Sequence, residues 1–214
     1  MFDPKTLYFT SGAMMAMMTL LCYLTWRTNK NIPGTATYTL YPLVLFLATM
    51  SFSLHGYLEH WQTIGIGNAL LFAASIIHVL AISQFLEHKG WELKSFLAFT
   101  CVLLVALGYY SIVDDNLRAR IWISDLQHIA EIVLLLSMFW RFARPRYPNG
   151  TIVYTIVLGL LLIAFIGRSI MMGEVTHLTI MQDTWFTTTV FINGVLSPIF
   201  YATGMALLCN ERRE

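Results

Sequence analysis

The sequence predicts an all-helical protein that crosses a membrane seven times. Of its 214 residues, 57% are hydrophobic and 12% are charged, whereas about a quarter of an ordinary soluble domain is charged. Seven apolar runs are each about long enough to cross a hydrocarbon core of ~30 Å. The connections between them are short, so consecutive runs are expected to be antiparallel neighbours. We predict a single domain, residues 1–214, built as a helical bundle, because a spanning helix satisfies its own backbone groups.

The limits of the runs follow from where polar residues interrupt the apolar sequence. In chain order the predicted runs are Leu7–Trp26, Thr39–Gly56, Ile64–Leu86, Ser95–Val113, Ile121–Trp140, Thr151–Met172 and Trp185–Cys209.

The basic residues predict the orientation of the bundle. Nine lie in the first, third and fifth connections and the tail: Arg27, Lys30, Lys89, Lys94, Arg141, Arg144, Arg146, Arg212 and Arg213. Three lie on the opposite side: Lys5, Arg118 and Arg120. Because cytoplasmic loops carry an excess of Lys and Arg, the N-terminus is predicted outside and the C-terminus in the cytoplasm.

Two prolines fall within predicted helices. Pro42 is expected in the first turn of the second run, where a missing N–H is tolerated. Pro198 lies inside the seventh run, after Asn193 and Gly194. A kink or local unwinding is expected there, either as a tolerated bend or as a hinge.

The fifth run carries the main candidate site. Asp125, His128 and Glu131 lie three residues apart within it, so on a helix they share one face. Ionisable groups inside a membrane are costly and usually face a bundle interior or a cavity. We therefore expect all three to line one pocket in the outer half of the membrane.

Four further polar residues are predicted to complete this ligand site. They are Arg168 in the sixth run, Asn68 in the third, His55 at the end of the second and Asn193 in the seventh. A guanidinium suits an anionic ligand group through paired hydrogen bonds. Asp125 or His128 is the expected neighbour of Arg168, with Glu131 as the pocket floor. The alternative is that Arg168 only cancels a buried carboxylate charge.

Several other kinds of site are disfavoured. His128 and Glu131 could supply two metal ligands, but no second pair has metal-ligand spacing. A haem would need His55 and His128 at equal depth on facing helices. His78, alone in the third run, is expected to be a hydrogen-bonded core residue. We predict neither a metal nor a cofactor.

Nucleic-acid binding and catalysis are also disfavoured. The net charge is +1, and the basic residues form no stripe, so no nucleic-acid partner is expected. No GxSxG, HExxH or phosphate-binding glycine loop occurs. The three cysteines have no metal-binding spacing and are interpreted as packing residues. The chain itself is not expected to be an enzyme.

Three stretches resemble a known family. They are residues 26–35 (WRTNKNIPGT), 64–71 (IGIGNALL) and 204–214 (GMALLCNERRE). Together they resemble the seven-helix membrane-sensor region that precedes GGDEF diguanylate cyclase domains in bacteria. The family's GTP-binding and catalytic residues have no positions here to carry over. Related sensors also precede histidine kinases, so the resemblance leaves the type of output open.

The resemblance implies a sensory module of the bacterial inner membrane. It would bind a small ligand, expected to be anionic, from the periplasmic or outer-leaflet side. The signal would pass through the last helix to a cytoplasmic output domain, and the module is expected to form a homodimer in the lipid bilayer. The alternatives are a small membrane transporter, a haem- or metal-binding membrane redox protein, or a structural anchor that dimerises an output domain.

Overall fold

The computed structural model describes residues 4–54, 57, 61–114, 116–172 and 185–214. This part of the chain contains helices and no strands, which confirms the all-helical class for the described residues. The seven α-helices are α1 (Pro4–Thr28), α2 (Thr35–Ser53), α3 (Ile66–Phe85), α4 (Trp91–Ile112), α5 (Leu117–Met138), α6 (Pro148–Met172) and α7 (Trp185–Glu211). Each predicted run overlaps one of them.

Six of these helices, α1 to α6, are long and apolar enough to cross a membrane. Their outward faces carry large apolar side chains that water would not favour. Val105, Ile112 and Ile163, for example, are 75%, 81% and 70% exposed. Such continuous apolar surface suits contact with lipid. The protein is therefore a helical membrane protein.

Most helices begin three or four residues before the apolar run that predicted them, because a first turn tolerates polar residues at the membrane surface. In α5 the Asn116 side chain accepts a hydrogen bond of 3.1 Å from the backbone N–H of Ala119. This N-cap satisfies a donor that the helix itself leaves unpaired. Pro148 occupies the first position of α6, where its fixed φ favours the helix.

Short π-helical segments adjoin two of the helices. Trp61–Gly65 precedes α3, and Phe139–Ala143 follows α5. Neither segment was predicted. A π turn contains an extra residue and changes the direction of the side chains that follow it, and such turns are frequent at functional sites.

The structure differs from the predictions made for the two prolines. Because α2 begins at Thr35, Pro42 lies inside the helix and not in its first turn. Of the kink or local unwinding expected at Pro198, the unwinding was wrong, since α7 is α-helical from Trp185 to Glu211; the kink stays a prediction. Neighbouring helices support such prolines in a membrane bundle, where they are tolerated.

The packing order brings α3 into contact with α5. Helices α1, α2, α3, α5, α6 and α7 each pack against the next, and α7 returns to α1. Helix α4 packs against both α3 and α5. Helix α3 therefore contacts three other α-helices, and its side chains meet those of α5 although α4 separates them in the chain.

One end of the bundle is held together by the last residues of α7. Arg212 donates hydrogen bonds to the backbone oxygen of Phe85, at the end of α3, and to Glu87. Arg213 donates to the backbone oxygen of Thr28, at the end of α1. We call this the basic end. It contains the ends of α1, α3, α5 and α7, and with them the nine basic residues counted above.

Candidate functional site

A buried carboxylate joins α3 to α5 near the middle of the bundle. The Oγ of Ser75 donates a hydrogen bond of 2.6 Å to Oε2 of Glu131. The Nδ1 of His78 lies 2.8 Å from Oε1, and the Nδ1 of His128 lies 3.4 Å from Oε2. Ser75 and His78 come from α3, whereas His128 and Glu131 come from α5. We call these four residues the central cluster.

Helical geometry explains why these four side chains meet. Ser75 and His78 are three residues apart, as are His128 and Glu131, so each pair lies on one face of its helix. His78 is the thirteenth residue of α3, and Glu131 is the fifteenth of α5. The two helices run in the same direction, so these positions lie at similar depth.

The central cluster contains a carboxylate that is shielded from water. Glu131 is 6% exposed and His78 is fully buried. Among the described residues, the ion-pair partners of Glu131 are the two histidines. A carboxylate in such a place is expensive unless it is paired and hydrogen-bonded. A protonated imidazole would supply the opposite charge.

Four tyrosines surround the His78 ring, and we call them the tyrosine cage. The ring of Tyr41 stacks on His78 at 4.1 Å between centroids. Tyr38 and Tyr201 present edge contacts at 5.7 and 5.4 Å, and Tyr154 lies at 6.4 Å. In the described part of the chain, Nε2 of His78 has no hydrogen-bond partner. The cage brings α2, α6 and α7 into contact with the central cluster.

The tyrosine hydroxyls form their own chain of hydrogen bonds. The hydroxyl of Tyr154 donates to the hydroxyl of Tyr38. Tyr38 in turn donates to the backbone oxygen of Tyr201 at 3.4 Å. This chain links α6 and α2 to α7. Because the His78 ring also contacts the rings of Tyr38 and Tyr201, a change in its position would alter contacts with α7.

A second polar group, the outer cluster, lies further from the basic end. Nε of Arg168 is 3.4 Å from Oδ1 of Asp125, and the Oγ of Ser169 donates a hydrogen bond of 3.2 Å to Oδ2. Asp125 is buried, whereas the Arg168 side chain is 23% exposed. Asp125 precedes Glu131 by six residues, which is ~9 Å along a helix. The guanidinium thus offsets a buried carboxylate from a partly open position.

His128 is the member of the central cluster that lies towards the outer cluster. It follows Asp125 by three residues and precedes Glu131 by three, so all three share a face of α5. Its ring stacks on Phe165 of α6 at 4.9 Å. Since Phe165 precedes Arg168 by three residues, one face of α5 meets one face of α6 throughout this region.

The structure brings some of the predicted site residues together and separates others. Arg168 meets Asp125, whereas Glu131 and His128 form a separate group. Asn68 is buried in α3, ten residues before His78 and thus ~15 Å along the helix. His55 lies outside the described residues, and with it the His55–His128 haem pair. Asn193 lies in α7, where only its backbone is described.

Sequence reasoning missed Ser75, Ser169 and the tyrosine cage, and it left His78 out of the site. His78 is hydrogen-bonded, as expected of a core histidine, but its partner is Glu131. One signal could have found it: Ser75 and His78 share a helix face at the depth of Glu131. Serines and tyrosines in apolar helices carry no comparable signal.

A metal site finds no support within the described residues. No three His, Cys, Asp or Glu side chains lie close enough there to hold a metal ion. Metal-binding histidines usually have one ring nitrogen hydrogen-bonded to a carboxylate, as Nδ1 of His78 is to Glu131. Within the described residues, however, no further metal ligands lie near His78.

Fold and site thus define a helical membrane protein with an ionisable centre. No protein-family model, curated protein or solved structure matches the chain.

Proposed function

We propose that this chain is a membrane-embedded sensory module. It binds a small ligand at the outer cluster and passes the change through the central cluster to α7. The observation that supports this most is the position of His78, which faces Glu131 on one side and Tyr201 of α7 on another. A buried charge is thereby placed against the helix that would carry an output.

The outer cluster is the proposed ligand anchor. Its guanidinium is a planar fork that can hold a carboxylate or phosphate through two parallel hydrogen bonds. Asp125 now faces Nε of Arg168. An anionic ligand that engages the guanidinium would weaken its attraction to Asp125. A proton shift among Asp125, His128 and Glu131 is then the proposed first step of signalling.

A ligand changes a conformational equilibrium only through different affinities for two states. The two states proposed here differ in the protonation of the central cluster and in the packing of Tyr201. Because Tyr38 bonds to the backbone of Tyr201, the tyrosine cage would transmit this difference to α7. The last turn of α7 lies ten residues further on, at the basic end.

Orientation and location are part of the proposal. Seven crossings, with the N-terminus outside and the C-terminus inside, agree with the nine basic residues at the basic end. The resemblance to sensor regions that precede GGDEF domains supports a bacterial inner membrane, a homodimer and a cytoplasmic output domain. Reporter fusions after Met172 and at the tail test the orientation, and a periplasmic tail would overturn it.

Proton-coupled transport is the second candidate. Protonatable residues in series across a bundle are typical of transporter relays, and Asp125, His128 and Glu131 are such a series. Reconstituted liposomes with an internal pH dye distinguish the two functions. A transporter gives proton flux that Glu131→Gln abolishes, whereas a sensor gives none.

The direct test of ligand binding is thermal unfolding of the purified chain with the carboxylate anions acetate, succinate and citrate. A ligand present at 100 times its Kd adds about 2.7 kcal/mol, which raises the Tm of a chain of this size by roughly 5 °C or more.

Arg168→Lys should abolish this shift, because Lys keeps the charge but loses the fork. Arg27→Lys, at the basic end, is the matched control. An unchanged Tm with every anion, or a full shift in Arg168→Lys, would refute the anion anchor.

A further inference from the structure

A cavity at the basic end lies outside both clusters of the proposed site. It has a volume of about 480 Å³, within the range of small-molecule pockets. Its wall includes Arg141, Phe142 and Arg146 from the segment after α5, and Glu87 and His88 from the segment after α3. Two loops that are far apart in sequence thus enclose one polar space.

The acidic side chains near this cavity already have partners. Glu87 forms an ion pair with Arg212 of α7. Oε2 of Glu92 lies 3.1 Å from Nε2 of His88, whose ring stacks on Phe142 at 4.2 Å. Glu87 is therefore paired with a guanidinium, and Glu92 is hydrogen-bonded, before any ligand enters.

Unlike these carboxylates, two arginines of the cavity have no ion-pair partner among the described residues. Arg144, next to the cavity, lies over the Trp140 ring at 4.0 Å and is occupied by that cation–π contact. Arg141 and Arg146 are exposed, and within the described residues neither has a carboxylate at ion-pair distance. Glu92 attracts Arg141 only from further away. Two guanidinium groups therefore face one cavity with their charges unmatched.

The depth of the cavity follows from the tryptophans at the same end. Trp91, the first residue of α4, is 72% exposed, and Trp140, just after α5, is 51% exposed. Exposed tryptophans at helix ends occupy the headgroup region of a bilayer. Arg141 directly follows Trp140, and His88 precedes Trp91 by three residues, so we expect the cavity at the level of lipid phosphates.

We propose that this cavity binds a phosphate group, carried by an anionic phospholipid headgroup or free in solution, through Arg141 and Arg146. Arginine holds phosphate through paired, charge-assisted hydrogen bonds. Basic pockets between membrane helices on the cytoplasmic side bind anionic headgroups in this way. The site does not depend on the proposed sensory function.

The experiment uses the full chain in a neutral detergent. Native mass spectrometry counts retained lipid during titration with phosphatidylglycerol or phosphatidylcholine of the same acyl chains, and thermal unfolding measures binding of inorganic phosphate. The test variant is Arg141→Gln/Arg146→Gln. The matched control is Arg27→Gln/Lys94→Gln, which removes the same charge from the same end but outside the cavity.

We expect the parent to retain phosphatidylglycerol over phosphatidylcholine, and the test variant to lose about tenfold in affinity for it. The control should keep the parent's affinity. If inorganic phosphate also stabilises the parent but not the test variant, the phosphate group alone is the ligand; if only the lipid binds, its headgroup is the source.

Equal loss in the test and control variants would show a general charge effect and overturn the site. So would full retention in the test variant, or failure of both probes to bind the parent. Circular dichroism checks the fold. Should the double variant misfold, Arg146→Gln alone carries the test, because its side chain is exposed.

Discussion

His78 of α3 and Glu131 of α5 form a buried pair in which Nδ1 lies 2.8 Å from Oε1. The pair crosses between helices that are not consecutive, and Ser75 supplies a second hydrogen bond to the same carboxylate. Fifty-three residues separate the partners. Their pairing therefore fixes the rotation of α3 against α5.

Replacing Glu131 by Gln should destabilise the bundle. The amide keeps the shape of the side chain, but it has no charge and only one acceptor oxygen for Ser75 and the two histidines. We expect a loss of about 1–3 kcal/mol, seen as a lower Tm in detergent. Asp114→Asn, at an exposed position outside the bundle core, should leave the Tm unchanged. A Glu131→Gln variant as stable as the parent would mean that the hydrogen bonds contribute nothing net.

The hydroxyls of Tyr154 and Tyr38 should be energetically coupled. Each Tyr→Phe change removes one member of a buried donor–acceptor pair, and neighbouring sites show coupling energies of about 0.5–3 kcal/mol. A double-mutant cycle by thermal unfolding measures this value. Tyr109→Phe, at an exposed position, is the control and should be neutral. Strictly additive effects of the two changes would argue against the hydrogen bond.

Gly34→Ala should be strongly destabilising. Gly34 precedes α2 with a φ of 81°, and a Cβ there would clash with the backbone oxygen of Ala81. A strained φ alone costs about 1–3 kcal/mol, and the clash with α3 adds to it.

The matched control is Gly108→Ala in α4, where a Cβ would meet nothing within 4 Å. Because Ala favours a helix over Gly by about 1 kcal/mol, the control should be neutral or stabilising. Equal effects of the two changes on Tm would contradict the close approach of α2 and α3.

Glu211→Gln should loosen the start of α6. Its carboxylate accepts hydrogen bonds from the backbone N–H of Asn149 and of Gly150, at 2.9 and 3.0 Å. A negative group at a helix N-terminus contributes typically about 0.3–1 kcal/mol.

Hydrogen–deuterium exchange of residues 149–151 should therefore quicken in the variant. Glu214→Gln, an exposed residue at the end of the chain, should leave exchange there unchanged. Unaltered exchange in both variants would show that Glu211 does not cap α6.

The sequence predicted helix positions well, because apolar runs of membrane length leave few alternatives. It also predicted Asp125 or His128 as the neighbour of Arg168, and the structure has Asp125 there, since opposite charges at similar depth on consecutive helices tend to meet. The pairing of His78 with Glu131 was not predicted, although Ser75 and His78 share a helix face at the depth of Glu131. That contact depends on α3 packing against α5 past α4, which the order of the runs does not reveal.

Other features left no readable sequence signal. Tyrosines in apolar helices look like ordinary core residues, so the cage around His78 emerged only from the rotation of α2, α6 and α7. The π turn at Phe139–Ala143 contains no Gly or Pro from which it could have been predicted. Pro198, conversely, suggested an unwinding, whereas α7 is α-helical through this residue.

We propose that the buried centre at Glu131 controls α7. The most direct test of this proposal is a fusion of the full chain, after Glu214, to a diguanylate cyclase, with cyclic di-GMP measured in cells without added ligand. Coupling energies between sites are typically about 1–3 kcal/mol, or about 5–150-fold. Glu131→Gln should therefore change basal output at least about fivefold, while Asp114→Asn should not, at equal amounts of membrane-inserted protein. If the output from Glu131→Gln equals that of the parent, the buried centre at Glu131 does not control α7.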